Sequence, residues 1–244
     1  MSDNPARTGT RRVLLKLSGE SFCQPGGHGI DPAELGGIAG EIESARQSGA
    51  QIAVVVGGGN MIRGGELARE GATDQATADQ MGMLGTVING LALREKLTEI
   101  GVESRCLTAI GIPSVAEAFI RLRALRHLEK GRVVVLAGGT GNPFFTTDSA
   151  AALRAIELNC DVILKATKVD GVYSADPRTD PKATRFEQLT YAEAIEKQLR
   201  VMDQTALAMC REHGMPIVVF DFKRPGNIRR AVEAEKGVGT RIAG

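Results

Sequence analysis

The sequence predicts an α/β fold, a three-layer α/β/α sandwich around a mostly parallel central sheet. Three observations carry this expectation. Short, continuous, β-branched apolar runs recur at residues 13–17, 52–56, 133–136, 162–164 and 217–220, each bounded by Gly, Pro or charge. Segments with helical spacing lie between most of them. The runs are apolar at successive positions, as strands buried on both faces of a parallel sheet must be.

The elements follow in order. Strand 13–17 precedes a helix over 32–47, with Asp31 as N-cap and Pro32 at the first helical position. After strand 52–56, residues 77–100 set Met81, Leu84, Ile88, Leu91 and Leu97 near one face of a long helix. Such an apolar stripe is more often core than a cofactor site, and it also suits a subunit interface. A helix over 114–128 leads to strand 133–136, and a helix over 149–158 leads to strand 162–164. Residues 169–173 read as a tight turn between two short strands. Helices over 191–213 and 226–235 flank strand 217–220. No composition break or linker divides the chain. We expect a flexible polar arm over 1–11 and one domain over 12–244. Its two lobes, about 12–160 on the acceptor side and 161–244 on the ATP side, share a continuous sheet.

Composition excludes several classes. Thirty basic and 29 acidic residues nearly cancel, so a polyanion partner is not indicated. The basic clusters at 121–126 and 223–230 read as solvated helix faces, and no nucleic-acid partner is expected. Cys23, Cys106, Cys160 and Cys210 are widely spaced and share no metal-ligand spacing with His28, His127 and His213. They read as inert thiols in a reducing compartment. The N-terminal stretch has no apolar core, and no apolar run is long enough for a bilayer. A soluble, cytoplasmic protein is expected.

Residues 138–149, Gly-Gly-Thr-Gly-Asn-Pro-Phe-Phe-Thr-Thr-Asp-Ser, are the most informative stretch. A glycine- and hydroxyl-rich turn between strand and helix aims backbone N–H groups at an anion. Phe144 and Phe145 are unusual in a loop and suit a pocket wall for a flat ring, with Pro143 stiffening the chain before them. Lys16, inside an apolar strand, is costly unless its ammonium finds a partner. It is either a snorkelling edge lysine or a phosphate ligand, and the Ser18-Gly19 that follows favours the second. Gly57-Gly58-Gly59 after a buried strand suits a phosphate-cradling turn, with Arg63 as a fixed positive charge. Neither G-x-G-x-x-G nor a P-loop sequence is present. Asp79 suits either a ribose diol or the dipole of the long helix. Lys165 lies at the carboxyl end of a strand, where open α/β sheets place ligands. Tyr173 offers a ring able to stack. Asp170-Gly171 and Asp176-Pro177 are adequately explained as turns. Strand-end lysines and glycine turns together suggest phosphoryl transfer.

Four segments also resemble a known family: Lys16-Leu17-Ser18-Gly19, Gly57-Gly58-Gly59-Asn60, residues 140–149, and Lys165-Ala166-Thr167-Lys168-Val169-Asp170-Gly171-Val172. They are similar to the amino acid kinase superfamily and, within it, to the bacterial uridylate (UMP) kinases. The similarity runs from about residue 12 almost to the C-terminus. Gly-Thr-Gly-Asn-Pro-Phe-Phe-Thr-Thr-Asp is its specific part. The resemblance implies transfer of a phosphoryl group from ATP, with Mg²⁺, to UMP in pyrimidine nucleotide biosynthesis. It implies that Lys16, Leu17, Ser18, Gly19, Gly59 and Arg63 hold ATP phosphates, while Thr167, Tyr173 and Asp176 line the adenosine pocket. It implies that Gly58, Asp79, Thr140, Gly141, Asn142, Pro143, Phe144, Phe145, Thr146 and Thr147 bind UMP, with Asp79 on the ribose. Lys16, Lys165 and Arg63 would neutralise charge on the phosphates, with Asp148 and Asp203 positioning lysines or magnesium. Magnesium would be held chiefly through phosphates. Gln24, Pro25, Gly26, Gly27, His28 and Gly29 fall where the family places a GTP-responsive element. UTP as a second effector and a homohexamer are implied likewise, with the 77–100 helix a candidate interface.

Rival readings are a sister kinase acting on a carboxylate or carbamate, and a nucleotide-binding regulator without catalysis. Phe144, Phe145 and Asp79 favour a nucleoside monophosphate over the first. Lys16, Asp148 and Lys165 together disfavour the second, since a mere binder need not keep all three. A dinucleotide oxidoreductase lacks its fingerprint.

Overall fold

The structure, a computed structural model, describes residues 10–177, 179–199 and 201–244. Its strands are β1 (Arg12–Leu17), β2 (Gln51–Val56), β3 (Ser104–Thr108), β4 (Glu117–Ala118), β5 (Val133–Ala137), β6 (Val162–Thr167), β7 (Gln188–Leu189), β8 (Ile217–Asp221) and β9 (Gly239–Ile242). They form one sheet in the order β4-β3-β5-β2-β1-β6-β8-β9-β7. Neighbours are parallel except β8 and β9, which run antiparallel. The helices are α1 (Pro32–Arg46), α2 (Gly64–Arg69), α3 (Gln75–Glu99), α4 (Arg121–Glu129), α5 (Thr147–Glu157), α6 (Tyr191–Glu196), α7 (Gln204–Glu212) and α8 (Asn227–Val232).

Period-2 alternation sorts the strand side chains into two cores. Val13, Leu15, Leu17, Val54 and Val56 pack with Ile38, Ile42, Leu93, Leu97 and Ile228 on the α1, α3 and α8 side. Leu14, Ala53, Val55, Leu136 and Ile163 pack with Leu128, Ala151, Ala155, Leu207 and Cys210 on the α4, α5 and α7 side. The three-layer sandwich expected from the sequence is present. Asp31 caps α1 through the Ala33 and Glu34 amides, and Pro32 opens it, as expected. All four cysteines are buried and free. Burial pushes the Cys106 thiol up to about 11 and the Cys210 thiol up to about 12, which suits inert packing groups.

Several elements differ from expectation. The helix over 114–128 is shorter, because residues 117–118 pair with β3 as an edge strand and Phe119 N–H donates to Thr108 O at 2.9 Å. The helix over 191–213 is two. Gln198 at φ 50° ends α6 in a Schellman turn, with Leu199 N–H donating to Ala194 O at 3.0 Å, and Asp203 caps a new helix. No hairpin forms at 169–173; β6 ends at Thr167, and Tyr173 makes one isolated bridge to Arg185. The long helix buries Met83, Val87, Leu93 and Leu97 beside Gly85 and Gly90, while Leu84 and Ile88 are 48% and 49% exposed. Its buried side mixes these apolar residues with Ala78, Gly85, Thr86, Asn89 and Gly90, so of the expected stripe Leu97 is buried while Leu84 and Ile88 face outward. Strands β3, β4, β7 and β9 were not expected. β3 carries Ser, Arg and Cys, and β4 and β7 are two residues long, too short for a period. The arm expected over 1–11 lies outside the described residues up to residue 9. Arg11 docks on α8, its guanidinium donating to Val232 O at 2.5 Å.

Candidate active site

Every glycine-rich turn singled out in the sequence leaves a strand at the same edge of the sheet. Gly57-Gly58-Gly59 follows β2, Gly138-Gly139 follows β5, and Ser18-Gly19 follows β1. The chain leaves β1 toward β2 on one side and reaches β6 on the other, which opens a crevice at these carboxyl ends.

Strand parity places the two lysines. Leu14 points to the α5 side, so Lys16, two residues on, does too; Ile163 and Lys165 repeat this on β6. The parallel register pairs Lys16 with Lys165 directly. Two ammonium groups side by side on one buried face repel each other. Asp148, in the first turn of α5, resolves this. Its Oδ2 accepts a hydrogen bond from Lys165 Nζ at 2.8 Å, and its Oδ1 lies 2.8 Å from Lys16 Nζ. The Lys16 contact is too bent for a hydrogen bond, so Oδ1 has a charge partner but no hydrogen-bond donor among the described residues. Lys165 also donates to Val201 O at 2.6 Å. Lys16 is only 7% exposed, and β1 is central, which removes the edge-lysine reading.

Burial pushes the Asp148 carboxyl up, but Lys16 and Lys165 outweigh it and hold it below the ordinary carboxylate value. Burial, reinforced by Lys16, lowers Lys165 below the ordinary lysine value, with Asp148 opposing. Two lysines thus share one carboxylate beside the crevice.

Asp203 makes its hydrogen bonds to α5 and α7, and its charge also acts on Lys165. It caps α7 through Ala206 N–H at 2.8 Å, accepts from Ser149 Oγ at 3.1 Å, and accepts from Thr146 Oγ1. Thr146 in turn caps α5 through the Asp148 and Ser149 amides. This chain of caps fixes the helix end that carries Asp148.

Two clefts meet here. One, of about 490 Å³, is lined by Lys16, Ser18, Gly19, Lys165, Thr167 and Lys168 among others. The other, of about 320 Å³, is lined by Arg63, Asp79, Thr140, Asn142, Phe145 and Thr146 among others. Gly58, Gly59 and Thr147 line both, so they form the shared wall. Glycine is required there. A Cβ on Gly58 would fall 2.6 Å from Gly82 O, and one on Gly19 would fall 2.4 Å from Gly59 N.

Asp79 sits one turn inside α3, and Asp74 is the N-cap, so the helix-dipole alternative falls away. Its Oδ2 accepts from Phe144 N–H at 2.7 Å, and its Oδ1 accepts from Gln75 Nε2 at 2.8 Å. Phe144 carries φ 70°, an uncommon conformation for a bulky residue, and Asp79 pins it. Phe145 lines the smaller cleft, whereas Phe144 is 72% exposed and does not. Gly141 and Pro143 shape the loop without lining the cleft.

Tyr173 and Asp176 do not line the larger cleft. The Tyr173 hydroxyl donates to Asp170 at 2.7 Å, and Asp176 O accepts from Thr179 N–H and Asp180 N–H in the turn that follows. The loop of Gln24, Pro25, Gly26, Gly27, His28 and Gly29 lines neither cleft but touches the glycine turn through Gly29 and Asn60. Two cleft residues were missed in the sequence. Lys168 donates to Glu20 at 3.1 Å, and Arg63 lies 3.5 Å from the same carboxylate, so Glu20 links Lys168 of the larger cleft to Arg63 of the smaller one. Glu20 follows Ser18-Gly19 by one residue, and that position in a phosphate turn was the available signal.

No cluster of three or more His, Cys, Asp or Glu residues suited to a metal exists among the described residues. That fits magnesium, which keeps its waters and is usually held by one or two carboxylates and substrate phosphates. Asp148, whose buried Oδ1 has the Lys16 ammonium as charge partner and no hydrogen-bond donor among the described residues, is the carboxylate of the site that could meet it.

The sequence profile described as the Amino acid kinase family matches residues 11–221. The chain is 54% identical over 233 residues to a protein of Paramagnetospirillum magneticum named uridylate kinase, covering 96% of each. Among solved structures it is similar to UMP kinase from Bacillus anthracis, with a TM-score of 0.92 at 43% identity over 96% of each chain. UMP kinase from Ureaplasma parvum gives a TM-score of 0.91 at 35% identity, covering 97% of this chain and 100% of that one.

Proposed function

The chain belongs to the amino acid kinase family, and from that premise we propose that it transfers the γ-phosphoryl group of ATP to UMP, giving ADP and UDP. The observation that carries this is the junction of two clefts at Gly58, Gly59 and Thr147, with the Lys16–Asp148–Lys165 triad beside it. ATP occupies the larger cleft and UMP the smaller. In this reading the lobe over about 12–160 is the acceptor side and the lobe over about 161–244 the ATP side, with Lys16, Ser18, Gly19 and the Gly57–Gly59 turn of the first lobe also facing ATP.

The UMP phosphate is ionised near neutrality, so its oxygen attacks without a strong base. None of the three histidines lines either cleft. The chain supplies position and charge. Lys16 and Lys165 turn from Asp148 toward the transferring phosphoryl oxygens, whose charge they neutralise. The Gly58 and Gly59 amides and Arg63 hold the flanking phosphates, and Asp79 takes the ribose hydroxyls. Asp148 holds both lysine ammonium groups beside the larger cleft. Magnesium, when bound with ATP, neutralises the β- and γ-phosphate oxygens.

Asp79→Ala is expected to raise the KM for UMP by about 10–100-fold, the value of a hydrogen bond to a charged group, and to change the KM for ATP little. Steady-state kinetics checks this. The pH profile is set by substrate and lysine. Activity rises with pH as UMP loses its second phosphate proton near roughly pH 6. It falls as Lys165 deprotonates. Because burial lowers that group in the free enzyme, the alkaline limb of kcat/KM for ATP should lie below the ordinary lysine value of 10.5. A profile flat through pH 10 would contradict this placement of Lys165.

The finer assignments belong to the same proposal. The half-exposed Leu84 and Ile88 on α3 support a subunit interface in a homohexamer. The 24–29 loop, tied to the phosphate turn through Asn60, supports a GTP response, with UTP a second effector. The protein works in the cytoplasm, in pyrimidine nucleotide biosynthesis. The reading is tested by binding. UMP should lower the apparent Kd for ATP, and glutamate and aspartate should leave it unchanged; the reverse pattern would assign the chain to a carboxylate kinase.

A further inference from the structure

Two buried asparagines, Asn60 and Asn89, line neither cleft and face each other beneath the glycine turn. Asn60 and Asn89 are each 1% exposed or less. Asn89, in the middle of α3, donates from Nδ2 to Gly57 O at 2.7 Å and to Asn60 Oδ1 at 2.6 Å. Asn60 returns one bond, from Nδ2 to Asn89 Oδ1 at 3.1 Å, and donates the other to Gly29 O at 2.6 Å. All four side-chain N–H donors of the pair are therefore used. One turn earlier on α3, Thr86 Oγ1 accepts from Gly138 N–H at 2.7 Å.

Three consecutive glycines have little intrinsic preference for one conformation. A phosphate cradle made of them needs an outside restraint. Gly57 O is held by a helix that also holds the Gly138 turn, so α3 sets the distance between the shared wall and the acceptor turn. An apolar residue at position 89 would leave Gly57 O and the Asn60 amide short of buried partners.

We propose that the Asn60–Asn89 amide pair is the positioning device that fixes the Gly57–Gly59 turn between donor and acceptor. This rests on the kinase reading above. Neither residue lines either cleft. Misplacing the turn by a fraction of an ångström separates the reacting phosphates more than it weakens either substrate's binding.

The test is Asn89→Ala, with Asn60→Ser as a second variant on a loop that leaves α3 intact. In a folded variant kcat should fall by about 10–100-fold, with the KM values for ATP and UMP nearly unchanged. Hydrogen exchange of residues 57–60 should quicken while that of β5 stays slow. A folded variant that keeps its kcat and its exchange pattern would overturn the proposal. If neither variant folds, native exchange of the unmodified protein decides: protected 57–60 amides support the restraint, and loop-like exchange refutes it. Absent UMP turnover by the unmodified protein would remove the kinase reading and leave the exchange result standing as the test of the restraint.

Discussion

Lys16→Ala should lower kcat by about 10²–10³-fold, the loss measured when one preorganised donor to a developing charge is removed. The KM for UMP should change little, because Lys16 lies in the donor cleft and not the smaller one. The reason is geometric. Lys16 projects from the central strand into the larger cleft, and Asp148 is its charge partner among the described residues. Removing it also leaves Asp148 with Lys165 alone, which keeps the carboxylate paired and the fold intact. A steady-state comparison with a folding control separates these effects. Near-normal turnover would refute the role.

Asp148→Asn should be the most destabilising single change in the site. It leaves two buried, adjacent ammonium groups without their shared carboxylate, and breaking a buried ion pair in this way costs about 3–5 kcal/mol. For a chain of this length that corresponds to a drop of roughly 6–20 °C in Tm. Activity should fall with it, because neither lysine is then aimed. The pH dependence gives a sharper signature. Lys165 is already lowered by burial, and losing Asp148 lowers it further. A lysine lowered in the folded state costs stability in full below its folded value, and the cost fades as pH rises toward the unfolded value. The gap in Tm between variant and parent should therefore narrow from about pH 7 to pH 10, within the range set by lysine titration. A gap that stays constant would mean the lysines are not the source.

The sheet was legible because its central strands are continuous apolar runs, and five of them fall where expected. Asp31-Pro32 announced α1, since cap and proline are local chemistry. The edge strands were not legible. β4 and β7 are two residues long, and their pairing depends on β3 and β9, which lie far away in sequence. The split between α6 and α7 turned on Gln198 adopting a left-handed conformation, which the residue type does not signal. In the site, Lys16 was found because a charge inside an apolar run is anomalous. Its register with Lys165 and the insertion of Asp148 between them could not be read, since both are set by strand pairing. Glu20, Lys168 and the Asn60–Asn89 pair were missed because polar residues near glycine turns are common. The resemblance implied adenosine-pocket roles for Tyr173 and Asp176, yet neither lines the larger cleft.

The most direct measurement is ADP release from MgATP with UMP, CMP, dTMP, AMP, glutamate and carbamate offered in parallel. UMP should give the highest kcat/KM, and glutamate and carbamate should give no release. Release with a carboxylate or carbamate and none with UMP would contradict the account.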